Sequence, residues 1–217
     1  MAQSILIMGE SGAGKTTSLR KLNPATTLIF NCDKKSLPWR GWRKQYNSEA
    51  KNYVATSNAA TIWKTLKTRV NDGDMKHIKV AVIDTLNAIM LDDEVARMRE
   101  RSYDRWIDLA QSIYQLISDI HDLRDDLTII CTAHVEFDDN GNARMATSGK
   151  KLRKIVPESK FPIVLYAKGC DGKYFFEVRA NHSTAKSPMG MFADAEIPND
   201  MQMVLDTIKK YEEDDEQ

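Results

Sequence analysis

An α/β fold with a mostly parallel central sheet flanked by helices is the class the sequence predicts, and three observations predict it. Short apolar runs alternate with helical patterns along the 217 residues, as parallel βαβ units require. One of these runs, "VAVI" at residues 80–83, is apolar without interruption, as expected of a strand covered on both faces. Finally, "MGESGAGKTT" joins the strand-like "SILI" to the helix-like "SLRKL", with glycines and a lysine at the hinge.

The elements follow in order. Residues 4–8 read as the first strand, 16–22 as a helix stopped by Pro24, and 27–31 as the second strand. A brief strand at Tyr53 and Val54 precedes a helix over 59–70. Trp106, Ala110, Ile113, Ile117 and Ile120 step by four and three, which makes one apolar helical stripe. Residues 127–133, "LTIICTA", form the next strand, and a polar, basic loop fills 136–160. "FPIVLYAKGCDGKYFFEVRA" reads as a C-terminal β-hairpin turning at Asp171 and Gly172. Asn199 is placed to cap a final helix ending near Tyr211. Residues 212–216 are five consecutive acids, expected as a solvated, disordered tail or a docking peptide for a protein partner. A single domain over 1–205 is expected, with 206–217 holding the end of the last helix and the tail.

With 31 basic and 31 acidic residues the net charge is zero, so any attraction for nucleic acid must be local. Cys32, Cys131 and Cys170 are far apart and form no CxxC pair, which argues against a disulfide framework or zinc site. No basic leader and no apolar run near eighteen residues is visible, so the expectation is a soluble cytoplasmic protein with no membrane partner.

The spacing Gly9-x4-Gly14-Lys15-Thr16 is that of a phosphate-binding P-loop. Glycines let the backbone curl so that amides of Gly9, Ser11, Gly12, Ala13, Gly14, Lys15, Thr16 and Thr17 can converge on an anion, at the start of a helix. Lys15 can reach the outer phosphates, and the Thr16 hydroxyl can take one position on Mg²⁺. ATP and Mg²⁺ are therefore the expected cofactors. Asp84, at the end of "VAVID", fits the acid that holds the magnesium shell, or it caps the following helix. Asp33 ends "LIFNCD", where a carboxylate could deprotonate an attacking water; a turn aspartate is the alternative. His134 follows "TIICTA" and could hydrogen-bond a γ-phosphate, or pack as an ordinary histidine.

"ILIMGESGAGKTT", "LIFNCD", "VAVIDTLNAI" and "LTIICTAHVE" together resemble the RecA-like P-loop ATPase core, in particular the small phage-encoded RecA-like recombination and single-strand annealing proteins. The similarity covers residues 4–192. It implies a RecA-like P-loop NTPase core and a homo-oligomer, ring or filament, that hydrolyses ATP on single-stranded DNA, in the bacterial host cell if phage-encoded. In that family the acid after the second strand is typically the hydrolytic glutamate, and Asp33 is one methylene shorter. A glutamine commonly links γ-phosphate to DNA where this chain has His134. The resemblance also implies basic residues acting on the next protomer's site, and Arg179 and Lys186 stand near that place.

Two segments could touch nucleic acid. Lys150, Lys151, Arg153 and Lys154 cluster within the polar loop, where RecA-like proteins grip single-stranded DNA and where four cations could neutralise phosphates; an ordinary solvated loop is the alternative. In "DKKSLPWRGWRK", Trp39 and Trp42 interleave with cations and could stack on bases, on a neighbouring subunit or on adenine. Competing functions are a nucleoside or nucleotide kinase, for which "RERSYDR" at 99–105 would hold phosphates, and an ATP-dependent loader acting on a protein. A GTPase is disfavoured because "DTLN" lacks a glycine three residues after Asp84 and no Asn-Lys-x-Asp follows; the Gly-rich signature of a transporter ATPase is absent from the sequence too.

Overall fold

The structure, a computed structural model, describes residues 1–99, 104–148, 154 and 156–215. The chain opens with strand β1 (Gln3–Gly9), a 3₁₀ turn at Thr16–Lys21 and strand β2 (Thr27–Asn31). Helix α1 (Trp42–Gln45) and strand β3 (Tyr53–Val54) follow, then helix α2 (Ala59–Thr65), which widens into a π-type stretch at Leu66–Asn71. Strand β4 (Val80–Asp84) leads to helices α3 (Leu86–Ala96) and α4 (Asp104–Asp119). Next come strands β5 (Thr128–Phe137), β6 (Ala143–Met145), β7 (Ile163–Cys170), β8 (Lys173–Glu177) and β9 (Glu196–Pro198), and helix α5 (Met201–Asp215) closes the chain.

The sheet runs β3-β2-β4-β5-β1-β7-β8-β9, with β6 paired to β5. From β3 to β7 the neighbours are parallel; β8 and β9 are antiparallel. Every residue of β2 and of β4 is buried, which explains their near-continuous apolar runs. Alternation then splits the core into two layers. Leu6, Met8, Ala81, Ile83, Ile129 and Cys131 meet Ile62, Leu66, Ile89 and Ile117 of the helices on one face. Ile5, Ile7, Val80, Val82 and Ile130 meet Leu19, Tyr46, Met201, Val204 and Ile208 on the other. Each such aliphatic side chain contributes about 1.5–3 kcal/mol by leaving water. Cys32 and Cys131 are buried free thiols whose pKa burial pushes up, whereas Cys170 is exposed. Among the described residues no helix is long and apolar enough to cross a membrane.

Several expectations change. The segment after the glycine loop starts with one α-type bond, Ser18 N to Gly14 O at 2.9 Å, then tightens to 3₁₀, as Leu22 N donating to Leu19 O at 3.0 Å shows. Pro24 leaves too little chain for an α-helix, and short segments close as 3₁₀ turns. The predicted loop at 136–160 contains a β5–β6 hairpin, because Val135 and Phe137 pair with Met145 and Ala143 around a turn held by Asp138. Asp200, not Asn199, caps the last helix, its Oδ1 accepting from the Gln202 amide at 3.1 Å. That helix runs to Asp215, through most of the acids expected to be disordered; Lys209 pairs with Glu213 one turn along. The hairpin turn at Asp171 and Gly172 is as read, both residues having positive φ, of 50° and 75°. Ile113, Ile117 and Ile120 are buried as the stripe requires; the Trp106 and Ala110 side chains and residues 100–103 of "RERSYDR" lie outside the described residues.

Candidate functional site

The sheet order assembles the site. β2, β4, β5 and β1 lie side by side and parallel, so their C-terminal ends bring Asp33, Asp84, His134 and the glycine loop into one row. Ligands of open α/β sheets lie at this edge. Register fixes the row: Gly9 is level with His134, and Asn31 with Asp84. A cavity of about 250 Å³ there is lined by Gly12, Lys15, Thr16, Asp33, Asp84 and His134 among others.

The glycines of the loop serve different needs. Gly12 and Gly14 have φ of 82° and 88°, which side chains rarely adopt. Gly9 is needed for space instead, since a Cβ there would lie 2.7 Å from the Ala167 carbonyl of β7. The loop therefore curls at two glycines and packs on its neighbour at the third. Lys15 closes it by donating to the carbonyls of Gly9 and Glu10, both at 2.8 Å. Lys15 as a residue is 6% exposed, and burial lowers its pKa against the opposing pull of Asp84, Asp33 and Glu10.

Asp84 is 3% exposed and fully engaged. Thr16 Oγ1 lies 2.9 and 3.2 Å from its two oxygens, and the Thr132 hydroxyl donates to Oδ1. Burial raises its pKa, while the bonds from Thr132 and Thr16 pull the other way. The capping alternative falls away, because the Thr85 hydroxyl accepts from the Ala88 amide at 3.3 Å and begins α3. A hydroxyl beside a buried carboxylate is the donor set Mg²⁺ takes, the remaining positions going to phosphate and water. Thr16 and Asp84 could thus hold Mg²⁺, which would polarise a phosphoryl oxygen.

Asp33 contrasts with Asp84. Among the described residues its side chain has a single, long hydrogen bond, from Thr85 Oγ1 at 3.5 Å, and it lines the same cavity as Lys15. A carboxylate so lightly held can accept a proton from water. His134 is half-buried, its Nδ1 3.5 Å from Lys15 Nζ. Burial and then Lys15 lower its pKa, which keeps the ring neutral at pH 7.

Three contributors were not anticipated. Thr132 was readable as a hydroxyl in an otherwise apolar strand. Lys35 lines the cavity rim and repels a proton on His134. Asn87 holds β5 at His134: its Oδ1 accepts from the His134 amide at 2.7 Å, and its Nδ2 donates to the Ala146 carbonyl at 2.9 Å. Nothing in the spacing of "DTLN" marked that bridge.

The other expected residues are not at the cavity. Arg179 donates to the Phe192 carbonyl at 2.8 Å, and Lys186 to that of Ser159 at 3.3 Å. Lys154 is exposed, while Lys150, Lys151 and Arg153 lie outside the described residues. Trp39 and Trp42 pack partly against their own core: Trp39 donates to Gln45 Oε1 at 2.8 Å, and Trp42 lies 5.5 Å from the Tyr53 ring.

A glycine loop, a lysine over it and a hydroxyl on a buried strand-end acid, all at one sheet edge, are arranged as in the nucleotide site of a P-loop NTPase. The family described as "AAA domain" matches residues 1–187. The chain belongs to the AAA domain family. Members of this family bind nucleotides and generally hydrolyse ATP, with Mg²⁺ as the usual companion ion. No curated protein matches the chain significantly. The AAA match spans all the strands that build the cavity, from β1 to β8.

Proposed function

We propose that this AAA domain is a Mg²⁺-dependent ATPase of the RecA-like type that assembles on single-stranded DNA in recombination or annealing, as phage-encoded members of that group do. The observation that carries the reading is the row of Lys15, Thr16, Asp84, Asp33 and His134 at one cavity. In it Lys15 and the loop amides bind the triphosphate, Thr16 and Asp84 hold the ion, Asp33 takes the proton from water, and His134 senses the γ-phosphate.

The DNA part is supported by continuity. β5 carries His134 and runs on into the hairpin with β6, directly before the segment holding Lys150, Lys151, Arg153 and Lys154. Asn87 bonds to β5 at His134 and to Ala146, the residue that follows β6. Cations there would make affinity fall with salt. Arg179 and Lys186, remote from their own chain's cavity, are available to act on a neighbouring protomer's.

The test is steady-state ATP hydrolysis with and without single-stranded oligonucleotide, beside particle imaging with a slowly hydrolysed analogue. Hydrolysis that rises with DNA and is abolished in Lys15→Ala is expected. A rate and an assembly state both indifferent to DNA would remove the recombination role and leave the nucleotide site standing.

A further inference from the structure

We propose that Lys35 is a catalytic residue of the phosphate cavity, its ammonium donating to a γ-phosphoryl oxygen of the ATP bound by its own chain. This rests on the triphosphate reading above and adds a second cation that the glycine loop does not supply. The connection after β2 forms one wall of that cavity, to which Asn31, Asp33, Lys35 and Leu37 all contribute.

The connection is built to hold Lys35 there. Asn31, 2% exposed at the end of β2, donates from Nδ2 to the Lys35 carbonyl at 2.5 Å and to the Tyr53 hydroxyl at 2.6 Å. Two residues on, Leu37 is 4% exposed and anchors the wall in the core. Between Asp33 and Lys35 the chain reverses at Lys34, whose φ of 55° is uncommon for a residue with a side chain. The two adjacent lysines are then treated oppositely. Lys34 is drawn away to Asp92 of α3, at 3.3 Å. Lys35 is exposed at the cavity, and among the described residues its ammonium has neither an ion pair nor a hydrogen bond. Burial lowers the pKa of both Lys15 and His134, and the Lys35 charge pushes each the same way, so it lies within electrostatic reach of both. Those are the two groups that the triphosphate reading sets at the γ end.

A cation without a partner, on a fixed main chain beside a proton acceptor, suits phosphoryl transfer. Water attacks the γ-phosphorus, the bond to the β–γ bridging oxygen breaks with its electron pair left on ADP, and the water proton passes to Asp33. Lys35 gives up no proton; it meets the charge carried by the γ-phosphoryl oxygens. Its compact ammonium on a four-carbon stem follows that oxygen as the group moves.

Single-turnover ATP hydrolysis, and calorimetry with ATP and with ADP in the presence of Mg²⁺, test this. Lys35→Ala should slow turnover about 10²-fold or more. It should weaken ATP roughly tenfold and leave ADP, which lacks the γ-phosphoryl group, unmoved. Lys35→Arg should restore most of the rate and Lys35→Gln should not, a dependence on charge that a merely structural role would not give. A mixture of Lys35→Ala and Lys15→Ala proteins should stay inactive, because both cations serve one site on one chain. Turnover recovered in that mixture would put Lys35 on a neighbour's nucleotide and overturn the proposal. An unaltered rate, or an unaltered ratio of ATP to ADP affinity, in Lys35→Ala would overturn it and leave the nucleotide site standing. If the unaltered protein binds neither nucleotide, the triphosphate reading falls and Lys35 with it.

Discussion

The two sides of the glycine loop are built to opposite rules. On the phosphate side the central acid, Asp84, has its oxygens bonded to Thr16 and Thr132 and a lysine nearby, on strands buried on both faces. On the far side, the Asn199 Nδ2 has no hydrogen-bond partner among the described residues and Tyr174 is half exposed, on the antiparallel rim of the sheet and its connections. The difference teaches that rigidity is concentrated where charge must be met in fixed geometry. Preorganised donors act there without reorganising. Asp33 is the exception on the phosphate side, and its freedom is what a proton acceptor requires.

That exception gives the largest expected effect. Asp33→Asn should cut ATP hydrolysis by about 10²–10⁴-fold while ATP affinity stays within a factor of a few, measured by single turnover and by calorimetry. Matched losses in both would make Asp33 part of the rigid set and break the contrast. Asp84→Asn comes next, with hydrolysis and Mg²⁺-dependent binding down on the order of a hundredfold. Its folded pKa is raised, so the unfolded chain gives up that proton first, and stability is lost as pH rises from the ordinary carboxyl value through the raised one. At neutral pH Asp84→Asn should therefore unfold at the same temperature or higher, which differential scanning can check. Thr132→Val sharpens the point at smaller scale: losing one bond to a buried carboxylate should cost about 1–3 kcal/mol of stability in urea titration.

The smallest effect concerns His134. Its folded pKa is lowered, so the unfolded state takes up the proton more readily. Stability is then fully present above the unfolded value of about 6.5 and declines as pH falls through it. Between pH 7 and 5.5, His134→Gln should lose less melting temperature than the unaltered protein. Equal slopes would mean that the ring is not held neutral between Lys15 and Lys35.

The phosphate side was also the more legible in sequence, for the same physical reason. Chemistry done by backbone amides needs glycines at fixed spacing, and a buried strand that ends in aspartate leaves an apolar run with an abrupt acid, so Gly12, Gly14, Lys15 and Asp84 announce themselves. The far side depends on which of two adjacent residues caps a helix. Asn199 and Asp200 are both good caps, and the spacing does not separate them. The β5–β6 hairpin was hidden because its pairs, Glu136 with Arg144 and Val135 with Met145, alternate in a segment whose polar residues read as loop. Asn87 escaped since its partners, the His134 amide and the Ala146 carbonyl, are main-chain groups on another element.

One unbroken strand runs through the middle of all this. β5 is ten residues long, about 30 Å, and no bulge or glycine interrupts it between Thr132 beneath Asp84 and Phe137 in the hairpin. A rod without a joint cannot absorb a tilt. If His134 meets the γ-phosphate as proposed, β5 is the direct covalent path from it to the outer hairpin, and a dye at the half-exposed Phe137 should then change its emission when a triphosphate is added.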